Sequence, residues 1–211
     1  MKDLPGLVLA LTINSYWACV ILLAVVRGLR QRQAVGLIPW KRQERLLWAV
    51  WVPVIVAWNL LPWVALSAHR YPWGISPFLR AAAFLELLRS IAAVVAGICF
   101  LLIAHCWLRM GRSWSLAVVP DRGRPLVQTG IYGWVRHPIY ALSILLMLAS
   151  LTAVPTAPLL VVALLHVMML MGKARSEEES LLAAHGPAYR DYSRRTGRFL
   201  PRLSHRWRTT S

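Results

Sequence analysis

Long apolar segments are the feature that most constrains how this chain can fold. A helix that crosses a hydrocarbon core about 30 Å thick needs roughly 20 apolar residues, and several runs of that length occur. The run from Ile139 to Met171 is too long for one crossing, and Pro155 and Pro158 divide it near its middle. Because proline interrupts a helix, we predict a tight helical hairpin there. The predicted spans are 4–26, 46–68, 90–108, 139–154 and 157–172.

These spans predict an all-α polytopic membrane protein with about five transmembrane helices, folded as a single domain over 1–211. The first span is followed by arginines and not by a small-residue cleavage site, which indicates a retained helix. The third span is drawn from Ser90 because Glu86 and Arg89, on one helix face, would otherwise enter the bilayer together. No internal repeat or low-complexity segment divides the chain.

Charge indicates how the chain is oriented. Its 24 Lys and Arg residues exceed its eight Asp and Glu residues and give a formal net charge of +16, which in a soluble protein would suggest nucleic acid. In a chain that is 58% apolar, basic loops mark the cytoplasmic side of a membrane instead. We therefore expect membrane lipids and no nucleic acid as partners. The basic segments 27–45, 109–137 and 173–211 predict a cytoplasmic C-terminus and an outside N-terminus, in the bacterial inner membrane.

Two polar clusters border the predicted hairpin. The segment GRPLVQTGIYGWVRHPIY enters the fourth span, and KARSEEES leaves the fifth. Because a hairpin joins these spans, their cytoplasmic ends must be neighbours, which predicts a pocket built from both clusters. Its charges and rings suit a zwitterionic, aromatic ligand, and no metal is expected because His137 has no second histidine at ligand spacing. The pocket residues would be Tyr132, Trp134, Arg136, His137, Tyr140, Lys173, Glu177 and Glu178.

Each of these residues also has a purely structural interpretation. A boundary arginine often reaches lipid phosphates, and Lys173 and Glu177, one helical turn apart, can form an exposed ion pair. His166, inside a span, is expected to bond a neighbouring helix. Tyr189 and Tyr192 are expected to anchor at the membrane interface. Only the combination of both clusters favours a binding site.

Both clusters resemble the motifs of a known family. The segment LVQTGIYGWVRHPIY is similar to the LV-x-x-G-x-Y-x-x-x-RHP-x-Y signature of isoprenylcysteine carboxyl methyltransferases and their prokaryotic relatives. The segment EEESLLAAHGPAYRDYSRRTGRFLP resembles their closing pattern, EE-x-x-L-x-x-x-FG-x-x-Y-x-x-Y followed by a proline. The resemblance covers roughly the C-terminal half. It implies a membrane methyltransferase that binds S-adenosylmethionine in a cytoplasmic pocket and takes a lipophilic or prenylated acceptor from the bilayer.

The resemblance also implies which residues serve the reaction. Lys173 stands where the family has an arginine and would orient the acceptor, and Arg136 would shape the pocket; these two are the catalytic candidates. An ammonium cannot hold a carboxylate with two parallel hydrogen bonds as a guanidinium does, so Lys173 makes a prenylcysteine carboxylate less secure as the acceptor. The implied cofactor-binding residues are Arg124, Pro125, Leu126, Val127, Tyr132, His137, Pro138, Tyr140, Glu177 and Glu178.

Other functions stay open. Methyltransferases that act on phospholipids carry a GxG motif together with an EE pair, and this chain has no GxG. No sequence feature excludes methyltransferases that act on thiols or on quinone and phenolic lipids. Sterol-type reductases that use NADPH share RHP-x-Y but continue with R-x-x-R-D-E-x-x-C, which the tail here does not resemble. A lipid-binding scaffold with a basic face is the non-enzymatic alternative. It leaves the spacing of both motifs unexplained.

Overall fold

The computed structural model describes residues 3–31, 42–67, 83–111 and 126–202. Within these ranges the chain forms α-helices, a short 3-10 helix at Gly130–Gly133 and no β-strand. The predicted all-α class is therefore confirmed. The helices are α1 (Leu4–Gln31), α2 (Arg42–Ser67), α3 (Ala83–Met110), α4 (Pro138–Ala153), α5 (Ala157–His185) and α6 (Pro187–Arg195).

The described helices match the predicted polytopic membrane fold. By length and composition, α1, α2, α3 and α5 can each cross a membrane. The apolar helix α4 has 16 residues, about 24 Å at 1.5 Å per residue, and is the shortest candidate. It ends at Ala153, and α5 begins at Ala157 after the Thr156 side chain accepts a hydrogen bond from the Leu159 amide. The predicted tight hairpin between the last two spans is confirmed.

The helices pack so that α3 covers α4 most extensively, while α1 lies against α3 and α2, and α2 lies against α5. Their shared core contains fully buried aromatic and aliphatic side chains, including Trp58, Ile13 and Leu146. The outward faces carry exposed apolar residues such as Val94 and Leu101. Exposed apolar faces of this length suit contact with lipid, because a bilayer solvates them as well as a protein core does.

The α4–α5 hairpin defines two ends of the bundle. The hairpin end holds the loop at 154–156, and the motif end holds residues 126–137 and 173–202. At the hairpin end α3 begins at Ala83, ahead of the span predicted from Ser90. Arg89 is buried there, and its guanidinium donates to Asp3 at 2.5–2.6 Å, to Glu86 at 3.0 Å and to the Ala153 carbonyl at 2.8 Å. These partners satisfy a charge that the apolar pattern alone places outside the span.

At the motif end α5 continues through residues 173–185, beyond the length of α4, and therefore projects past the apolar bundle. It ends at His185, before Gly186, whose φ of +51° favours glycine. The short α6 then turns back, and Tyr192 donates to the Tyr132 carbonyl at 2.8 Å. Tyr189 and Tyr192 are both buried, so the expectation that they anchor at the membrane interface is wrong. Their rings contact each other inside the protein, with centroids 6.0 Å apart, instead of facing lipid.

Backbone hydrogen bonds hold the tail, residues 187–202, against the motif segment, residues 126–137. The Gly197 amide donates to the Trp134 carbonyl at 3.2 Å, and the Gly197 carbonyl accepts from the Arg136 amide at 2.8 Å. A Cβ on Gly197 would lie 1.6 Å from the Leu200 carbonyl oxygen. Only glycine allows this approach, so the tight tail turn depends on it.

Candidate functional site

A cavity lies at the motif end, between the first five helices and the segment that leads into α4. Its empty volume, which includes space open to the surroundings, is about 690 Å³. The residues that line it are Tyr16, Trp17, Val20, Trp51, Trp107, Met110, Tyr132, Arg136, His137, Pro138, Ile139, Tyr140, Ser143, Leu170, Lys173 and Glu177.

Most of the predicted site residues meet at this cavity, from both clusters. Those that line it are Tyr132, Arg136, His137, Pro138, Tyr140, Lys173 and Glu177. The cavity lining does not include Leu126, Val127 or Glu178. Arg124 and Pro125 lie outside the described residues. The hairpin thus joins the RHP-x-Y segment to the first glutamate of the EE pair, as the topology requires.

Glu177 is held at the cavity by the RHP-x-Y segment. The Tyr140 hydroxyl donates to Glu177 Oε2 at 2.8 Å, and His137 Nδ1 lies 3.6 Å from the same oxygen. The rings of His137 and Tyr140 stack nearly parallel, with centroids 5.3 Å apart. Pro138 starts α4 at its first turn, where the missing N–H costs no helical hydrogen bond. One carboxylate is therefore placed beside two stacked rings.

Glu178, the neighbouring glutamate, points into a different set of contacts. Its Oε1 accepts from Arg136 Nε at 2.9 Å and lies 3.2 Å from His137 Nε2, and its other oxygen pairs with Arg198. Burial alone would raise the pKa of Glu178, but hydrogen bonds from His137, Arg198 and Arg136 hold it well below its usual range. The second carboxylate of the pair therefore ties the tail to the motif segment.

Arg136 completes this connection. Besides Glu178, its guanidinium donates to the carbonyls of Ser193 at 2.9 Å and Thr196 at 2.5 Å. Both carbonyls belong to the end of α6 and the residue after it. Arg136 also lines the cavity, so the tail supports one wall of the site through this side chain. Shaping the pocket stays the predicted role of Arg136.

Lys173 has a setting that differs from an exposed ion pair. The residue is 9% exposed. Its ammonium lies 4.8 Å from the centre of the Trp51 ring and 5.8 Å from that of Tyr140, distances at which aromatic faces attract a cation. The cavity wall therefore contains a buried positive charge next to two aromatic rings.

The sequence did not predict the aromatic side chains that the first three helices contribute to the cavity wall. Tyr16 and Trp17 come from α1, Trp51 from α2 and Trp107 from α3. The Tyr16 ring stacks on Trp107 with centroids 5.7 Å apart, and Trp17 meets Trp51 edge-on at 6.1 Å. Tryptophan within a span suggests headgroup depth, and the sequence offers no sign that these rings face inward. Their clustering around the motif residues is a tertiary property.

The polar groups of the wall fit a polar ligand. Trp17 Nε1 and the Tyr132 hydroxyl are buried and have no hydrogen-bond partner among the described residues. Burial raises the pKa of Tyr132 well above its usual range, so its hydroxyl keeps its proton and can donate. Buried donors are rarely left unpaired, and a ligand in this cavity would satisfy both. In the described part of the chain, no group of three or more His, Cys, Asp or Glu side chains could hold a metal ion.

Comparison with known proteins adds a family to this geometry. Two relatives are the nickel-cobalt-cadmium resistance protein of Alcaligenes xylosoxydans xylosoxydans and the cobalt-zinc-cadmium resistance protein of Cupriavidus metallidurans. Each is 36% identical over 98 residues, which is 45% of this chain and 45% and 44% of the respective relatives. The chain therefore matches less than half the length of each relative.

A family profile covers the region that builds the site. Residues 85–184 match the profile of the isoprenylcysteine carboxyl methyltransferase family. The matched region contains the RHP-x-Y segment, the hairpin and both glutamates of the EE pair, which are the features that carry the resemblance in the sequence. The resemblance predicted from the two motifs is thus confirmed: residues 85–184 of this integral membrane protein are similar to the isoprenylcysteine carboxyl methyltransferase family.

Proposed function

We propose that this protein transfers a methyl group from S-adenosylmethionine to a lipophilic acceptor, with an isoprenylcysteine carboxylate as the first candidate. One observation carries the proposal. Glu177 and Lys173 on α5 and His137 and Tyr140 at the start of α4 line the same cavity. The two motifs are far apart in sequence, and the hairpin brings them to one cavity. That site lies where helices suited to a membrane meet a polar tail.

The residues of the site match the chemical groups of this cofactor, which supplies an electrophilic methyl group on a sulfonium when it is bound. Glu177 offers a carboxylate for its ammonium or ribose, and Arg136 offers positive charge for its carboxylate. The rings of Tyr132 and Tyr140 offer faces for adenine or for the sulfonium. The exposed Trp134 ring, also considered from the sequence, does not line the cavity.

The rest of the cavity suits an acceptor with an apolar chain. Val20, Met110 and Leu170 line it together with the tryptophans of the first three helices. Methyl transfer to an anionic oxygen needs little proton transfer, so orientation and charge placement should dominate catalysis. Lys173 would attract such an oxygen while its alkyl stem packs against the apolar wall.

The orientation in the membrane belongs to the same proposal. The basic segments 27–45, 109–137 and 173–211 follow the first, third and fifth predicted spans. By the positive-inside rule, they support a cytoplasmic location for the motif end. The cavity would then receive a soluble cofactor from the cytoplasm of a bacterium. The names of the two relatives concern metal resistance, and the proposal for this chain rests on its site and not on those names.

Calorimetry on detergent-purified protein tests the cofactor. We expect saturable binding of S-adenosylmethionine that weakens at least about tenfold in Glu177→Gln, because a hydrogen bond to a charged group contributes roughly 1.5–3 kcal/mol. Glu179→Gln is the matched control, since Glu179 is two residues away and exposed. Equal losses in both variants, or no binding by the wild type, would reject the proposal. Binding of NADPH alone would favour the reductase.

Transfer of a labelled methyl group then tests the acceptor. Prenylcysteine analogues come first, followed by quinone and phenolic lipids, thiols and phospholipids. Labelling of a prenylcysteine analogue that disappears in Lys173→Met but persists in Arg175→Met would assign Lys173 to the acceptor. Arg175 provides the control because it lies two residues along the same helix and is exposed. Labelling only of another class would retain the methyltransferase and replace the acceptor.

A further inference from the structure

A histidine that the proposed chemistry does not use connects two walls of the cavity from behind. His166 on α5 is fully buried. Its Nδ1 lies 3.4 Å from Trp51 Nε1, and its Nε2 lies 3.0 Å from Ser143 Oγ. Trp51 belongs to α2 and Ser143 to α4, and both line the cavity, whereas His166 does not. The expectation that His166 bonds a neighbouring helix is confirmed for two helices at once.

The donors in this chain of contacts determine the direction of its hydrogen bonds. An indole N–H can only donate, so His166 Nδ1 must accept from Trp51. A neutral imidazole then carries its proton on Nε2, which donates to Ser143. The Ser143 hydroxyl keeps its own proton and can donate it to the Tyr16 hydroxyl, since both side chains line the cavity. The sequence of donations therefore runs from Trp51 through His166 and Ser143 to Tyr16.

This series of hydrogen bonds ends at two neighbouring donors on α1, Tyr16 and Trp17. Because the Tyr16 oxygen accepts from Ser143, its own O–H is left to donate to another group. The next residue, Trp17, has a buried indole N–H with no hydrogen-bond partner within the described ranges. Both residues line the cavity, and their rings touch edge to face with centroids 5.1 Å apart. This wall therefore presents neighbouring hydrogen-bond donors in apolar surroundings.

We propose that Tyr16 and Trp17 bind the polar head of the methyl acceptor, and that His166 is a positioning residue that fixes Tyr16 through Ser143. The ligand is an amphiphile whose head carries a hydrogen-bond-accepting oxygen: a carboxylate, a carbonyl or a phenolate. An ammonium head would meet donors only and is disfavoured. The inference rests on the proposed function because it assigns the acceptor end of the same cavity. Binding of the amphiphile can nevertheless be measured without S-adenosylmethionine.

Tryptophan fluorescence provides the measurement, since Trp17, Trp51 and Trp107 line the cavity. Two probes share one chain: N-acetyl-S-farnesylcysteine, and farnesyl ethyl sulfide, which lacks the oxygens. We expect the wild type to bind the first at least about tenfold more tightly than the second. Tyr16→Phe and Ser143→Ala should each reduce this preference about three- to tenfold. The double variant should lose little more of this preference than either single variant, because the two side chains belong to one series of hydrogen bonds.

Conservative variants separate positioning from a general loss of structure. The His166→Gln amide can donate to Ser143 in place of Nε2–H, so this variant should retain most of the preference, while His166→Leu should lose it. Tyr189→Phe removes a buried hydroxyl away from the cavity and should leave the preference unchanged. Because the Tyr16→Phe change removes only an oxygen, the test does not depend on His166→Leu folding.

Equal affinity for the two probes, binding of neither probe, or a wild-type preference in Tyr16→Phe would overturn the inference. Calorimetry with S-adenosylmethionine is run on the same variants, and its affinity should stay within about twofold of the wild type. If the wild type does not bind S-adenosylmethionine but keeps the head-group preference, the methyltransferase is rejected and the proposed head-group site is retained. Cofactor binding without that preference would do the reverse.

Discussion

Arg89, which is buried, and Arg136, which is half-buried, flank α4 at opposite ends of the bundle, and both donate hydrogen bonds to carboxylates and carbonyls. Arg89 at the hairpin end has a side chain 7% exposed and contacts Asp3 and the Ala153 carbonyl. Arg136 at the motif end has a side chain 11% exposed and contacts Glu178 and the Thr196 carbonyl. In burial, charge and hydrogen bonding the two environments are nearly equivalent.

What differs is their relation to the cavity. Arg136 lines it and carries the tail, whereas Arg89 joins the start of α1, α3 and the hairpin loop, away from it. An ion pair in a membrane protein invites a functional interpretation, yet the same local chemistry stabilises structure at one end and shapes a site at the other. Position relative to the cavity, and not burial or pairing, separates the two roles.

The largest effect on stability is expected from Arg89→Ala. Removing the guanidinium leaves the Asp3 carboxylate and the Ala153 carbonyl without this donor, and breaking such a buried pair costs about 3–5 kcal/mol. The thermal midpoint in detergent should fall more than in any other variant considered, while S-adenosylmethionine affinity in the cold, with the protein still folded, should be unchanged. A loss of affinity under those conditions would remove the distinction between the two ends.

An intermediate effect is expected from Glu178→Gln, which removes the charge that Arg136 and Arg198 share. We expect the free energy of unfolding to fall by roughly 1–3 kcal/mol and trypsin to cleave faster within 194–202. Cofactor binding should also weaken, because the tail supports the cavity wall. In contrast to Arg89→Ala, stability and binding should change together. An unchanged cleavage rate would show that Glu178 does not hold the tail.

Acid should reproduce this intermediate effect in the wild type. The pKa of Glu178 is lowered in the folded protein from its ordinary value of 4.5, so the ion pairs stabilise the protein fully above that pH. Their contribution is lost progressively as the pH falls below it, because the unfolded state then binds the proton more readily. Melting curves of wild type and Glu178→Gln should converge as the pH falls below 4.5 and separate above it. Parallel curves would exclude Glu178 as the titrating group.

The smallest effect is expected from Arg175→Ala. Arg175 and Glu179 form an ion pair one turn apart on α5, with side chains 79% and 61% exposed. Exposed pairs of this kind contribute about 0.3–0.5 kcal/mol at most and are screened by salt. The melting temperature and cofactor affinity should both match the wild type within error in moderate salt. A clear loss of either property would show that exposed charges on this helix matter as much as Arg89 and Arg136.

The sequence predicted much of the site because its two motifs flank a hairpin. His137, Tyr140, Lys173 and Glu177 could be placed together without coordinates, since a tight turn between two spans makes their far ends neighbours. The same reasoning could not separate Glu177 from Glu178. Adjacent residues on a helix point about 100° apart, and only packing shows that one faces the cavity and the other the tail.

The sequence by itself determined the spans, the hairpin and the family resemblance, because apolar length, proline and motif spacing act locally along the chain. Tertiary structure alone decided that Tyr16 and Trp17 face a cavity, that Arg89 is buried, and that Tyr192 supports the motif segment. Aromatic and basic residues near a bilayer are compatible with lipid, interface or interior. Which of these environments each one occupies depends on the neighbouring helices that pack against it.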